Sequence, residues 1–232
     1  MQERFSRTKA LLGEDAIEKL KKSTVAIFGV GGVGGACVEA LARGGVGHLV
    51  LVDFDTISES NINRQIIALT SNIGEKKVEA LKKRAEDINP EIKVTTCDCF
   101  FLPETQEEFD FSAYDYVIDA VDTVSAKLEI ITRARIKGTK VISAMGAGNK
   151  LDPTAFKVAY IEDTKVCPLA KVMRYELKKR AINKVKCVYS EEKTTRGENE
   201  NTEEKVIGSV SFVPPVMGYI LAGEVIKDLT IR

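Results

Sequence analysis

The chain of 232 residues has one histidine, a formal net charge of zero at pH 7 and no long apolar run. Each shortage excludes something. His48 opens an apolar strand, His48 to Val52, away from the edge where a nucleotide is expected, so a structural role is assigned to it and no histidine base is expected in catalysis. Zero net charge gives no global attraction to nucleic acid, so any such affinity must come from local clustering. No segment reaches the ~18–20 uninterrupted apolar residues that a membrane helix needs, and no signal peptide is read in MQERFSRTKALLGEDAIEKLKKS. No membrane partner is expected. The five cysteines (37, 97, 99, 167, 187) are an odd number; Cys97-x-Cys99 lacks zinc-knuckle spacing and has no second close pair. Zinc is therefore not expected, and reduced thiols in a cytoplasmic protein are.

What is present suits an α/β protein. The hydrophobic fraction of 44% supports a sizeable core. Ser6 is read as capping a helix that runs to about Lys22. Short apolar runs at Thr24–Phe28, His48–Asp53, Ile92–Cys97, Tyr114–Val121 and Lys140–Met145 alternate with helical patterns at 33–43, after Gly74 and at 125–137. Near-continuous apolar strands between helices predict a Rossmann-like, mainly parallel sheet covered by helices. After Gly148 the pattern gives strands at 155–161 and 185–190, a basic helix from Pro168 to Lys184 and a strand-like SVSFV before a final helix. EEKTTRGENENTEEK (191–205) has no apolar residue and reads as a flexible loop. The expected organisation is one domain over 1–232, with a nucleotide-binding half (1–150) and a substrate-facing half (151–232).

Gly29-x-Gly31-x-x-Gly34 lies between the first strand and its helix, where glycines let backbone approach a phosphate at a helix N-terminus. Asp53 ends the next strand, where a ribose hydroxyl would be held. These features do not distinguish a redox cofactor from ATP. The next loop does. Asn61, Arg64 and Gln65 can bind phosphates or ribose, Lys77 begins the following helix, and Asp119 and Asp122 lie at the carboxyl end of the fourth strand. Three phosphates need cations and a divalent metal needs carboxylate oxygen, so this set favours nucleotidyl transfer. Lys127 is read as added positive charge. An alternative for Asp122 is a simple helix cap.

GVGGVG, VDFDTISESNINRQ, IGEKKVEA and DAVDTVSAK, in that order, closely resemble the ThiF/MoeB family, relatives of the ubiquitin-activating enzymes. The resemblance implies adenylation of a carboxylate by ATP and Mg²⁺. It implies that Gly29, Gly31, Gly32 and Gly34 shape the nucleotide loop, that Asp53, with Asp55 beside it, binds the ribose end, and that Asn61, Arg64, Gln65 and Lys77 hold phosphates. Asp122 is implied as the Mg²⁺ ligand. RFSR at 4–7 resembles the family motif whose second arginine, here Arg7, reaches into the partner subunit's site, which implies a homodimer.

Two CxxC zinc pairs, common in members that charge ubiquitin-like sulfur carriers, are missing. RFSRTKALLG, GVGHLVLVDFD, SNINRQ and GSVSFVPPVMG instead resemble the TcdA branch, also called CsdL, which implies ATP-dependent dehydration and cyclisation of threonylcarbamoyladenosine in tRNA. The basic stretch 171–186 offers Lys171, Arg174, Lys178, Lys179 and Arg180 as tRNA contacts over a core of Val172, Leu177 and Ile182, with only Glu176 opposing. Cys167 and Cys187 are read as packing residues rather than thioester nucleophiles. Adenylation of a sulfur-carrier C-terminus is the alternative; a non-catalytic nucleotide sensor and a redox enzyme rank below it. Whether a monovalent cation is bound, and whether a sulfur-transfer protein docks, are left open by the sequence.

Overall fold

The computed structural model describes residues 3–101, 109–194 and 207–231. Seven strands form one sheet: β1 (Thr24–Phe28), β2 (His48–Val52), β3 (Lys93–Cys97), β4 (Tyr116–Asp119), β5 (Lys140–Ala144), β6 (Phe156–Tyr160) and β7 (Lys186–Ser190). Their order is β3-β2-β1-β4-β5-β7-β6. Every pair is parallel except β6 with β7. The mixed, mainly parallel Rossmann-like sheet predicted from the sequence is what the chain forms.

Parallel neighbours need crossovers, and helices supply them. The helices are α1 (Ser6–Leu12), α2 (Glu14–Lys22), α3 (Gly32–Gly44), α4 (Lys77–Ile88), α5 (Val124–Lys137), α6 (Pro168–Lys179) and α7 (Pro214–Thr230). Burial on both faces follows from the strand sequences. In β1, Val25 and Ile27 join the core beneath α3 and α7, while Ala26 and Phe28 join the opposite core with Ile130, Met173 and Leu177. Phe28 pairs in register with Val52 on one side and Asp119 on the other. The loops that follow β1, β2 and β4 therefore leave the sheet side by side, at the carboxyl edge where α/β ligands bind.

At the opposite edge a charged cluster ties α7 to the sheet. Asp228 accepts hydrogen bonds from Tyr116 Oη (2.7 Å) and Lys186 Nζ (2.6 Å), and Lys140 Nζ donates to its carbonyl (2.9 Å). Partial burial pushes the Asp228 carboxyl up, but the Lys186 and Tyr116 hydrogen bonds outweigh it and hold the group below its ordinary value. Lys186 is raised, because its two carboxylate partners outweigh its own desolvation.

Three expectations are corrected. The N-terminal helix is broken at Gly13 (φ 88°) into α1 and α2, and Ser6 is its first residue rather than its cap. The basic helix stops at Lys179, not Lys184. Ala181 and Lys184 take positive φ, and Arg135 Nη2 draws the carbonyls of Asn183 (2.8 Å) and Lys184 (2.6 Å) away from helical bonding. SVSFV is not a strand. Its first carbonyl, Ser209 O, accepts from Asn63 Nδ2 in place of a ladder, Asn149 Oδ1 accepts from Gly208 N just before it, and Pro214 starts α7 directly after it. Most of the loop at 191–205 lies outside the described residues. No described helix is long and apolar enough to cross a membrane.

Candidate active site

A cleft of about 690 Å³ opens at the carboxyl edge of β1, β2, β4 and β5. Its first wall is the glycine loop. Gly29 (φ 84°) donates its N–H to Val52 O at 2.8 Å, and Gly31 caps α3 without a side chain. The first amides of α3 are thus left facing outward, as anion binding requires. Gly29, Gly31 and Gly32 line the cleft. Gly34 serves differently: a Cβ there would sit 1.9 Å from Gly29 O, so it permits the loop to fold back onto the helix. Asp53 fixes this loop too. Its Oδ2 accepts from Val30 N (2.7 Å) and its Oδ1 from Asp55 N (2.9 Å).

The polar loop after β2 brings Asn61, Arg64 and Gln65 to the same cleft. Asn61 Oδ1 accepts from Ser58 N (3.1 Å), a local cap that sets the turn. Arg64 Nη1 donates to Ser60 O (2.9 Å) and Asn63 Oδ1 (2.8 Å), so its guanidinium is oriented without a carboxylate partner among the described residues. Gln65 is 5% exposed, and its Oε1 is buried with no hydrogen-bond partner among the described residues. Such an orphan costs about 1–3 kcal/mol, and a ligand donor would satisfy it. Lys77, also 5% exposed, opens α4 and pairs with Asp55 Oδ2 at 2.6 Å. An incoming phosphate would offer that ammonium a second anionic partner.

Asp122 is exposed at the cleft, and no side-chain cap bonds the start of α5, so the simple-cap alternative is not what is seen. Asp119 is different. It is fully buried and receives Lys127 Nζ at 3.0 Å and Ser143 Oγ at 2.5 Å. Lys127 is equally buried, so its charge is consumed beneath the cleft floor and adds nothing to ligand binding. That corrects its sequence assignment; burial, which decides the matter, is not written in local sequence.

Arg7 is exposed on α1, and the adjoining Phe5 ring lies beside Gly45, at the far end of α3 from the glycine loop. Arg4 Nη1 caps the last turn of α4 through Ile88 O (2.8 Å), at that same far edge. Arg7 is not brought to the cleft of its own chain. His48 also sits there, bonded between Thr24 Oγ1 (3.4 Å) and Thr95 Oγ1 (3.0 Å), with its pKa lowered by burial and by Lys93.

The other half of the cleft was not read from the sequence. Met145, Gly146, Lys150, Cys167 and Leu169 line it, and Phe54 packs on Phe100 at its rim (4.6 Å between centroids). Hydrophobic and scattered residues such as these carry no motif. Cys187 lies behind, its thiol pushed up to about 12 by burial, which leaves it inert as a nucleophile. On α6, Met173 and Leu177 face the core while Val172 is exposed. Arg174 turns inward to Thr164 O (2.7 Å), and Glu176 holds both Lys179 and Arg180 (2.9 Å each). Lys171 and Lys178 remain exposed, without an ion pair among the described residues.

Residues 5–231 match the ThiF family profile. The chain is 43% identical over 242 residues to the tRNA threonylcarbamoyladenosine dehydratase of Bacillus subtilis, covering 99% of this chain and 95% of that protein. It is similar in structure to the Escherichia coli tRNA N6-threonylcarbamoyladenosine dehydratase TcdA in complex with ATP. The TM-score is 0.89 at 33% identity, over 97% of this chain and 93% of that one. A shorter likeness, 34% over 151 residues, joins it to the molybdopterin-synthase adenylyltransferase of Escherichia coli, covering 64% of this chain and 59% of that protein.

Proposed function

Because the chain belongs to the ThiF family, we propose that it is an ATP-dependent enzyme that adenylates the carboxylate of threonylcarbamoyladenosine in tRNA and drives its cyclisation. One observation carries this reading: the glycine loop, Arg64, Gln65, Lys77 and Asp122 all line one cleft. A redox site would have no use for that density of phosphate-binding groups. The shorter likeness to the molybdopterin-synthase adenylyltransferase leaves sulfur-carrier activation, and a sulfur-transfer partner with it, in second place.

In this mechanism the nucleotide lies across the β1 and β2 loops, its ribose toward Asp53 and Asp55 and its phosphates toward Asn61, Arg64, Gln65 and Lys77. A substrate carboxylate oxygen attacks the α-phosphorus; the new P–O bond forms as the bond to pyrophosphate breaks. Adenylation turns a poor leaving group into a good one. The carbamoyl group then attacks the activated carbonyl, a proton is lost, and the C–O bond to AMP breaks. The nucleoside loses one water overall, while ATP becomes AMP and pyrophosphate. Arg64 and Lys77 balance charge on the phosphates.

Among the described residues no group of three acidic, histidine or cysteine side chains gathers to hold a metal. A lone accessible carboxylate nevertheless suits Mg²⁺, which takes one or two protein carboxylates and completes its shell with phosphates and water. Asp122 would hold it. Bound there, the ion would neutralise charge on the phosphoryl group. We also assign a homodimer in which Arg7 completes the partner's site, one domain spanning the chain, and a cytoplasmic location beside its tRNA substrate.

The test is one incubation of the protein with ATP, Mg²⁺ and tRNA bearing threonylcarbamoyladenosine, followed by nucleoside digestion and mass spectrometry. ATP-dependent loss of one water is the expected result. An unchanged nucleoside in the presence of bound ATP would reject this substrate and turn attention to a protein C-terminus.

A further inference from the structure

Lys150 is 3% exposed, and its Nζ donates to a single acceptor, Glu192 O, at 2.8 Å. A lysine ammonium has three N–H donors. The other two find no acceptor among the described residues, and no carboxylate there lies within ion-pair distance. The carboxylate of Glu192 belongs to the same residue as that acceptor but is already committed: its two oxygens accept from Leu151 N (2.9 Å) and Asp152 N (3.0 Å). An ammonium removed from water without a counter-charge is costly. It is tolerated where an anion arrives to complete it.

The lysine is held in place from both sides. Glu192 clamps the backbone after it. Asn149, at φ 56°, clamps the backbone before it by exchanging hydrogen bonds with Gly208 (2.8 and 2.7 Å). Its place in the cleft is equally specific. Asp53, Asp55, Arg64, Lys77 and Asp122 line the part that follows β1, β2 and β4. In the part that follows β5 and meets the start of α6, the described lining includes Met145, Gly146, Asn149, Cys167 and Leu169, and Lys150 is its charged residue. The nucleotide half thus has its own cations, and the half left for the second substrate has this one.

We propose that Lys150 binds the free carboxylate of the nucleoside substrate before adenylation and so selects carboxylate-bearing tRNA. The inference rests on the function proposed above. It has a kinetic signature. The carboxylate is charged in the bound substrate and neutral once esterified to AMP, so the grip belongs to the ground state and appears in KM more than in kcat.

The experiment compares the same tRNA with and without the threonylcarbamoyl group, by equilibrium binding to the wild type and to Lys150→Met, Lys150→Gln and Lys150→Arg. The wild type should prefer the modified tRNA by about tenfold, as a charge-assisted hydrogen bond provides. Lys150→Met and Lys150→Gln should bind both tRNAs alike, and Lys150→Arg should recover part of the preference. Affinity for ATP alone should not change in any of them. A folding defect would weaken both tRNAs and ATP together, and Lys150→Gln, which can still donate to Glu192 O, guards against it.

Retention of the preference in both neutral variants overturns the proposal. So does a loss of ATP affinity with tRNA binding kept, which would place Lys150 on phosphate instead. If the wild type dehydrates the nucleoside but the variants keep the preference, only this inference fails. If the wild type neither dehydrates it nor prefers the modified tRNA, both readings fail.

Discussion

Asp122 and Asp119 are three residues apart and do opposite things. Asp119 is buried and saturated by Lys127 and Ser143, whereas Asp122 stands exposed in the cleft. Replacing Asp122 with Asn removes one charge from a solvated site, so stability should change by less than about 0.5 kcal/mol. Mg²⁺-dependent turnover should fall by about 100-fold or more, as expected when charge stabilisation of phosphoryl transfer is lost. Paired urea unfolding and AMP-release assays check this; unchanged turnover would remove the metal assignment. The same pair shows what the sequence could tell at this scale. The cleft residues Arg64, Gln65, Lys77 and Asp122 were legible because they sit in ordered motifs beside strand ends. Lys127 was misassigned because a lysine's value depends on burial, and Lys150 was invisible among the 34 lysines and arginines for the same reason.

Among the elements, α6 is where composition misleads most. Five basic residues were read as one contact surface, but Arg174 is turned inward and Glu176 engages Lys179 and Arg180. Lys171 and Lys178 are seven residues apart, two turns along one face, and are exposed. Reversing both to Glu should weaken tRNA binding more than reversing Lys179 and Arg180. It should also lower the slope of log K against log salt by about 1–2, the yield of losing two phosphate contacts. Titrations at several salt concentrations decide it, and equal effects from the two double variants would remove this helix face as the contact. Element boundaries were otherwise close where apolar runs met glycine or proline. They failed where tertiary partners took over the backbone: Arg135 at the end of α6, and Asn63 and Asn149 along 208–209.

Across the whole molecule, the two edges of the sheet divide the labour. At the edge away from the cleft, Asp228 joins α7 to β4, β5 and β7. Its carboxyl is depressed in the fold, so its contribution is complete above the unfolded value of 3.8 and is lost as pH falls through the lower folded value. Lys186 is raised, so its contribution is complete below 10.5 and is lost as pH climbs through the folded value. Asp228→Asn should cost about 1.5–3 kcal/mol near neutrality and progressively less as pH falls below the unfolded value of 3.8, which a series of urea unfolding curves down through the acid range tests. Arg7 lies at this far edge too, which makes a mixing experiment informative. Arg7→Ala and Asp122→Asn chains, each inactive alone, should together recover about a quarter of wild-type activity, since random pairing leaves one site in four intact when the arginine acts across the dimer. No recovery would show that it acts within its own chain, and an Arg7→Ala chain active by itself would remove its role altogether.

The cleft itself is continuous, with Arg64, Gln65 and Lys77 in one half and Lys150 in the other. Two molecules must give up their freedom of motion to fill it. A single compound joining adenosine to the acyl portion through a link that cannot be cleaved would surrender that freedom once. Such a compound would gain from both halves at the same time, which makes the shape of the cleft a template for a selective inhibitor.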